Sequence, residues 1–273
     1  MIKDEILLNL KAVYARAYVR IKGLIREPHW SIAEVTIPLL SLSAYVYMYT
    51  MLNSPQEYMA FVIVGGAMLA FWSNVLWGMS TQLYWEKDTG MLQYYMLTPA
   101  SRMAILIGMA VGGMINTTLR SLSILLIGSM IFPVSYNLID PLALIIVFII
   151  TIVALYGMGM LFASLFLLYG REASHIADIL QEPIYLLSGI YYPVISNRIF
   201  PQSVKLIASI IPLTLGIDAI RLILVMGKSI ADISLHIMGL GVLAVALLIL
   251  AYIALKKMEY ISKKHGRLLL RWQ

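Results

Sequence analysis

The sequence predicts an all-α membrane protein with six transmembrane helices. Hydrophobic residues make up 61% of the 273 positions and charged residues only 12%, which is about half the fraction found in globular proteins. A soluble domain of this length could not bury so much apolar surface. Several apolar stretches also reach the roughly 20 residues that a helix needs to cross the hydrocarbon core. We therefore expect much of the chain to face lipid.

An amphipathic helix is predicted over residues 1–27. Apolar side chains such as Ile6, Leu10 and Val13 recur at steps of three or four, which places them on one face of a helix. Basic side chains fill much of the remaining surface, and helices of this kind lie at the membrane interface. Pro28 is expected to end the helix. The segment lacks the short apolar core and cleavage site of a signal peptide.

Six spans are predicted from the apolar stretches that follow. They cover residues 32–51, 58–80, 104–132, 142–169, 173–192 and 235–255. Residues 193–230 contain three prolines and only short apolar runs, so external re-entrant helices are expected before the last span. A basic tail, 256–273, completes what we interpret as a single transmembrane domain over 1–273.

The distribution of Lys and Arg predicts the orientation in the membrane. Basic residues concentrate before the first span and after the last, whereas the short breaks at 52–57 and 133–141 contain none. The positive-inside rule therefore places both termini in the cytoplasm, as expected for a multi-pass protein of the cytoplasmic membrane. The net charge of +6 then indicates contact with anionic membrane lipid rather than with nucleic acid.

Motifs that would indicate catalysis are missing from the sequence. There is no GxxxxGK[ST] loop for binding ATP, and there is no HExxH or GxSxG motif. The chain has no cysteine, and its four histidines are far apart. No catalytic residue, metal site or bound cofactor is therefore expected in this chain.

Residues 84–98 form the most informative polar segment. Two acidic residues precede Gly90, which permits a sharp backbone turn, and a short half-apolar helix is predicted at Met91–Leu97. Pro99 is expected to end this helix, because the residue before a proline avoids the helical region. Such a helix could dock into a groove on a partner, or it could rest on lipid as an amphipathic connector.

This segment resembles the cytoplasmic coupling region of ABC-2 type transporter permeases. Members of that family tend to show an acidic residue, a glycine, a Leu-Glu pair and then Thr-Pro. The matching residues are Glu86, Gly90, Leu92, Thr98, Pro99 and Arg102. Gln93 departs from the pattern, since glutamate is usual at that position.

A second similarity to the same family lies downstream. The family has Ser-Gly…Pro and Pro-x-Thr…Asp-x-x-Arg stretches around its external re-entrant helices. The corresponding residues here are Ser188, Gly189, Pro193, Pro212, Thr214, Asp218 and Arg221. We interpret them as structural, and Asp218 is expected to pair with Arg221 three residues later to brace the re-entrant segment.

The resemblance implies a permease without an ATPase of its own. Two permease chains, either identical or related, would pair, and two ABC ATPase subunits carrying ATP and magnesium would dock beneath them. The contacts to the ATPase implied by the resemblance are Glu86, Asp88, Gly90, Met91, Leu92 and Gln93. Closure of the ATPases would export a hydrophobic, lipid-like or glycan substrate.

Polar residues inside the predicted spans are candidates for a transport pathway. Arg120 lies in the third span, where a charge is costly. A second side chain or helix carbonyls could instead satisfy it, with help from Asn116. A further set shares one helix face at the start of the fifth span, namely Arg171, His175, Asp178 and Glu182. This face could line a polar pathway, or it could be a solvated helix end whose charges pair with one another.

Two other functions stay open on the sequence alone. A secondary transporter or channel would use the polar face of the fifth span to couple an ion gradient, without any ATPase. A membrane-embedded enzyme acting on lipid would instead need His175, Asp178 and Glu182 for its chemistry.

Overall fold

The computed structural model describes residues 2–166, 172–195 and 200–264, and every regular element in these ranges is helical. The helices are α1 Ile2–Arg26, α2 Pro28–Met51, α3 Gln56–Ser73, α4 Gln82–Asp88, α5 Met91–Leu97, α6 Arg102–Ile131, α7 Pro141–Phe166, α8 Glu172–Leu187, α9 Gln202–Ser209, α10 Pro212–Leu224 and α11 Ser234–Lys264. A π-helical segment, Asn74–Ser80, connects α3 to α4. The predicted all-α fold class is confirmed.

Five helices of the described chain are long and apolar enough to cross a membrane. They are Pro28–Met51, Gln56–Asp88, Arg102–Ile131, Pro141–Phe166 and Ser234–Ser262. The pair α9 and α10 passes the same test together but bends by 100° at the break between them, so the count is six if this pair forms one span. The protein is therefore a multi-pass membrane protein with five to six spans.

The predicted fifth span, 173–192, is longer than the helix observed there. The α8 helix has 16 residues, which corresponds to about 24 Å and falls short of the thickness of the hydrocarbon core. It ends at Leu187 because Gly189 adopts a left-handed backbone conformation with φ of 69°. Residues 167–169 of the predicted fourth span lie outside the described residues, as does most of the basic tail, 265–273.

The second span differs from its prediction in the opposite direction. It was expected over 58–80, but the helical path runs without a break from Gln56 to Asp88. Leu83 and Tyr84 are buried in the protein, which explains why the helix continues past the apolar stretch. The predicted segment 84–98 accordingly consists of the end of α4 and the separate helix α5.

The α3 helix lies at the centre of the fold. Residues 59–68 are all buried, so the helix is covered on every side. Trp72 and Phe71 are fully buried at its end and join the core that α3 forms with α6, α7 and α10. By contrast, only 17% of the residues in the apolar stretch of α2 are buried, and the same is true of α11. These helices therefore present most of their surface to lipid or to another chain.

The α1 helix packs lengthwise along α6. A Cβ atom at Gly108 would approach the Val13 carbonyl oxygen to 2.7 Å, and one at Gly112 would lie 3.0 Å from the Cα of Ala17. These two glycines allow the backbones to approach closely, as small residues do between membrane helices. On its other side, α1 leaves apolar residues such as Leu10 exposed.

A single methyl group at Gly65 should destabilise the fold. Its Cβ would collide with the backbone carbonyl oxygen of Ile190 and would approach the Arg221 guanidinium to 2.8 Å. We expect Gly65→Ala to lower the free energy of unfolding by about 1–3 kcal/mol, measured by unfolding in mixed micelles. Gly241→Ala is the matched control, since nothing lies within 4 Å of a Cβ there. Equal effects of the two substitutions would contradict this packing.

Candidate functional site

The turn between α4 and α5 has the geometry that the sequence predicts. Gly90 adopts φ of 76° and ψ of −1°, a left-handed conformation that glycine reaches without strain. The α5 helix covers Met91–Leu97, and Thr98 is extended before the proline. The Ser101 hydroxyl then accepts a hydrogen bond from the Ala104 amide at 3.0 Å and caps α6. A short helix is thus held between two defined turns.

Glu86 is buried against the N-terminal helix. Only 5% of the residue is exposed, and its carboxylate pairs with the guanidinium of Arg16. The Gln82 amide donates a further hydrogen bond to Glu86 at 3.1 Å. Arg16 also lies over the Tyr95 ring, 5.2 Å from its centroid. One arginine of α1 therefore contacts both α4 and α5, and we call Arg16, Glu86 and Tyr95 the clasp.

Arg20 lies one turn further along α1 and makes a second set of contacts. It donates hydrogen bonds to the Met109 carbonyl of α6 at 3.2 Å and to the Gly78 carbonyl of the π-helical segment. Burial lowers the pKa of Arg20 to about 10, so the guanidinium stays charged at neutral pH. The two arginines thus connect α1 to α4, α5, α6 and the π-helical segment.

The outer face of α5 is apolar and uncovered. Met91 is 47% exposed, Tyr94 is 65% exposed and Leu97 is 82% exposed. These residues recur every three positions and share one side of the helix. Asp88 and Gln93 are exposed beside them. We call Met91, Tyr94 and Leu97 the α5 face.

The resemblance implies direct contact of Glu86 and Leu92 with a partner, but both side chains are buried within this chain. Leu92 is only 2% exposed and packs into the core beneath α5. Both side chains therefore position the loop from inside the chain. Sequence reasoning did not identify Tyr94 and Leu97, although their spacing from Met91 was visible.

Arg120 forms an ion pair inside the third predicted span. Its Nη1 lies 2.8 Å from Oε1 of Glu34 in α2. The Asn116 amide donates a hydrogen bond to the Arg20 carbonyl at 3.1 Å. The paired alternative for Arg120 agrees with this arrangement, with Glu34 as a partner that the sequence did not indicate.

The polar face of α8 is exposed in this chain. His175, Asp178 and Glu182 are all exposed, together with the apolar Ile179 and Leu186. Arg171, which the sequence places on the same face, lies outside the described residues. Within the described ranges, no group of three or more His, Asp or Glu side chains is arranged to hold a metal ion.

Arg221 is the centre of the predicted re-entrant segment. Its guanidinium donates hydrogen bonds to the carbonyls of Gly189 at 2.6 Å, Ile190 at 2.8 Å and Phe61 at 2.7 Å. It also interacts electrostatically with Asp218, whose carboxylate lies 3.1 Å from His236 of α11. One buried side chain therefore ties α10 to α3 and to the turn after α8.

The remaining residues of that segment meet around the same turn. The Thr214 hydroxyl donates to the Leu187 carbonyl at 3.1 Å, and Pro212 occupies the first turn of α10. Pro193 is buried. The structure thus brings together residues that the sequence separates by more than twenty positions.

The sequence model of the ABC-2 type transporter family matches residues 10–225. This range contains the clasp, the α5 face, and Arg221 with the carbonyls that it binds. The chain belongs to the ABC-2 type transporter family. It is a transport permease with several membrane spans, and permeases of this family are generally not catalytic themselves and typically work with an ATPase partner. No curated protein matches the sequence of this permease.

The clasp can be tested by a double-substitution cycle. Glu86→Gln alone leaves the Arg16 charge buried without its partner, which typically costs about 3–5 kcal/mol. Arg16→Gln likewise leaves the Glu86 carboxylate buried without its partner. We expect the combined variant to lose clearly less stability than the sum of the two single losses, measured by unfolding in mixed micelles. Strict additivity would show that the two side chains do not interact.

Proposed function

We propose that this permease is the membrane subunit of an ATP-driven exporter, in which two copies pair and two separate ATPase subunits supply ATP and magnesium. The observation that carries the proposal is the α5 face. Exposed apolar patches of this kind mark interaction sites, and a short helix presented between two turns suits docking into a groove on a partner. Membership in the family supports an ATPase as that partner.

The clasp favours a protein partner over lipid as the contact of α5. A helix that merely rests on lipid would need no buried ion pair to fix its position. Here Glu86 and Arg16 hold the loop from inside, and Leu92 anchors α5 to the core. Rigid anchoring lets a push on α5 reach α1 and α6 instead of being absorbed by the loop.

The contact to the ATPase is proposed for the exposed and half-buried part of the loop. It comprises the α5 face together with Asp88, Gly90 and Gln93. Glu86 and Leu92 act as positioning residues in this scheme. ATP-driven closure would move α1, α4 and α5 together, and differential binding to two states of the permease would drive the cycle.

The polar face of α8 supports pairing of two permeases. A charged side chain facing hydrocarbon is costly, and α8 exposes His175, Asp178 and Glu182 beside Ile179. A second copy would cover Ile179, and the polar residues would line the path between the copies. A path of mixed polarity suits an amphiphilic cargo, such as a lipid-like or glycan substrate. In the proposed exporter both termini, α1 and the α4–α5 loop lie in the cytoplasm, where the ATPase binds, and the α9–α10 bend lies outside.

Removing the α5 face should release the ATPase. We expect the double variant Tyr94→Ala and Leu97→Ala to fold normally, because both side chains are exposed, and to lose most of its co-purification with the partner ATPase subunit. Leu206→Ala with Ile207→Ala is the matched control, since these residues are 60% and 56% exposed on α9.

Full retention of the ATPase by the Tyr94 and Leu97 variant would overturn the proposed docking face. Failure of the unaltered chain to bind any ATPase, combined with transport down an ion gradient, would favour a secondary transporter that uses Asp178 and Glu182.

Pairing through α8 should be visible by crosslinking. The sequence contains no cysteine, so a single introduced thiol reports one position. Ile179→Cys is expected to form a disulfide between two copies in membranes, because Ile179 is 70% exposed on α8. Leu126→Cys on α6, where Leu126 is 66% exposed, should stay monomeric. Efficient crosslinking at Leu126 and none at Ile179 would place the pairing surface elsewhere.

A further inference from the structure

A groove open to the side of the molecule lies between α1, the start of α2 and α6. Its polar part is a cavity of about 170 Å³, and it continues into a largely apolar part of about 340 Å³. The two parts share Ser31, Glu34, Asn116 and Arg120. Neither the clasp nor the α5 face contributes to its walls.

The polar part contains charged groups of both signs. Arg20 and Arg120 line it together with Glu27 and Glu34, so the formal charges sum to zero. Arg20 is already engaged with backbone carbonyls of α6 and of the π-helical segment. The charged groups available to recognise a ligand are therefore those of the Arg120–Glu34 pair.

Two buried polar atoms in this wall have no hydrogen-bond partner among the described residues. They are Nε of Arg120 and Oδ1 of Asn116, one a donor and the other an acceptor. The Glu34 side chain is 30% exposed and the Arg120 side chain 14% exposed, so a ligand can reach the outer atoms of these two side chains. Buried polar groups normally have partners, so the wall is incompletely satisfied, and a ligand that carries both an acceptor and a donor suits it.

The position of the polar part along α2 fits the depth of lipid headgroups. Glu34 is about 26 Å along α2 from Met51 at the other end, which approaches the roughly 30 Å of the hydrocarbon core. Trp30 lines the polar part and is 66% exposed, and tryptophan favours the membrane interface. The apolar part is lined by Ile32, Val35, Leu119 and Ile127 and runs from there towards the membrane interior.

We propose that this groove binds a zwitterionic phospholipid whose headgroup carries a primary amine. The phosphate accepts hydrogen bonds from Arg120, as charge-assisted pairs of arginine and phosphate do. The amine donates to Glu34 and Asn116, and an acyl chain lies along Val35 and Leu119. A headgroup with net negative charge is disfavoured because the carboxylates balance the arginines. The site does not involve ATPase docking, so its test is separate from the test of the proposed transport function.

The test is lipid binding to the purified chain, followed by native mass spectrometry. Phosphatidylethanolamine, phosphatidylcholine and phosphatidylglycerol with identical acyl chains are compared. We expect phosphatidylethanolamine to bind several-fold more tightly than the other two. Equal binding of all three lipids, or a preference for phosphatidylglycerol, would overturn the proposal. Free phosphoethanolamine should compete poorly, and efficient competition would show a headgroup site that needs no lipid chain.

Paired variants separate the site from general stability. Glu34→Gln with Arg120→Gln removes both charges without leaving one unpaired, and it should abolish the headgroup preference. Arg102→Gln with Glu259→Gln removes another ion pair, with a distance of 3.5 Å, and should keep the preference. Ser123→Trp, which fills the apolar part, should weaken binding of all three lipids. Retention of the preference in the Glu34 and Arg120 variant would contradict the assignment.

Discussion

The buried ion pair between Arg16 and Glu86 is the interaction on which the arrangement of α1, α4 and α5 depends. A buried carboxylate needs to be paired and hydrogen-bonded, and at Glu86, which is 5% exposed, Arg16 and Gln82 both contact Oε1. The pair fixes α1 to α4, and the Tyr95 ring under the same guanidinium extends the connection to α5. Together with Leu92, which anchors α5 to the core, it sets the position of the α5 face.

A second buried arginine has the corresponding role at the opposite side of the fold. Arg221 gathers the carbonyls of Gly189, Ile190 and Phe61, so the bend between α9 and α10 is tied to the central helix α3. The close approach of Ile190 to Gly65 is part of the same arrangement. In the proposed mechanism, motion that enters at α5 reaches the far side through the π-helical segment and α3, whose residues 59–68 are all buried.

Local signals in the sequence predicted much of the fold but few of its long-range contacts. The bounds of α5 followed from Gly90 and Pro99, because both act on the neighbouring backbone. The end of α8 was missed, since only the structure shows that Gly189 adopts a left-handed conformation. The Arg16–Glu86 pair joins residues seventy positions apart, and nothing in one sequence distinguishes Arg16 from the other basic residues of α1. The α5 face could have been predicted, because Met91, Tyr94 and Leu97 recur every three positions.

In the proposed mechanism, α1 and the α4–α5 loop move as one body when the partner ATPase binds ATP. Spin labels at Ala15→Cys and Gln93→Cys, two exposed positions in a chain that has no cysteine of its own, measure the distance between α1 and α5. In complexes with the ATPase, that distance should be the same with and without trapped ATP, whereas the distance between Gln93 labels of the two copies should change. A nucleotide-dependent change between α1 and α5 within one copy would contradict the account.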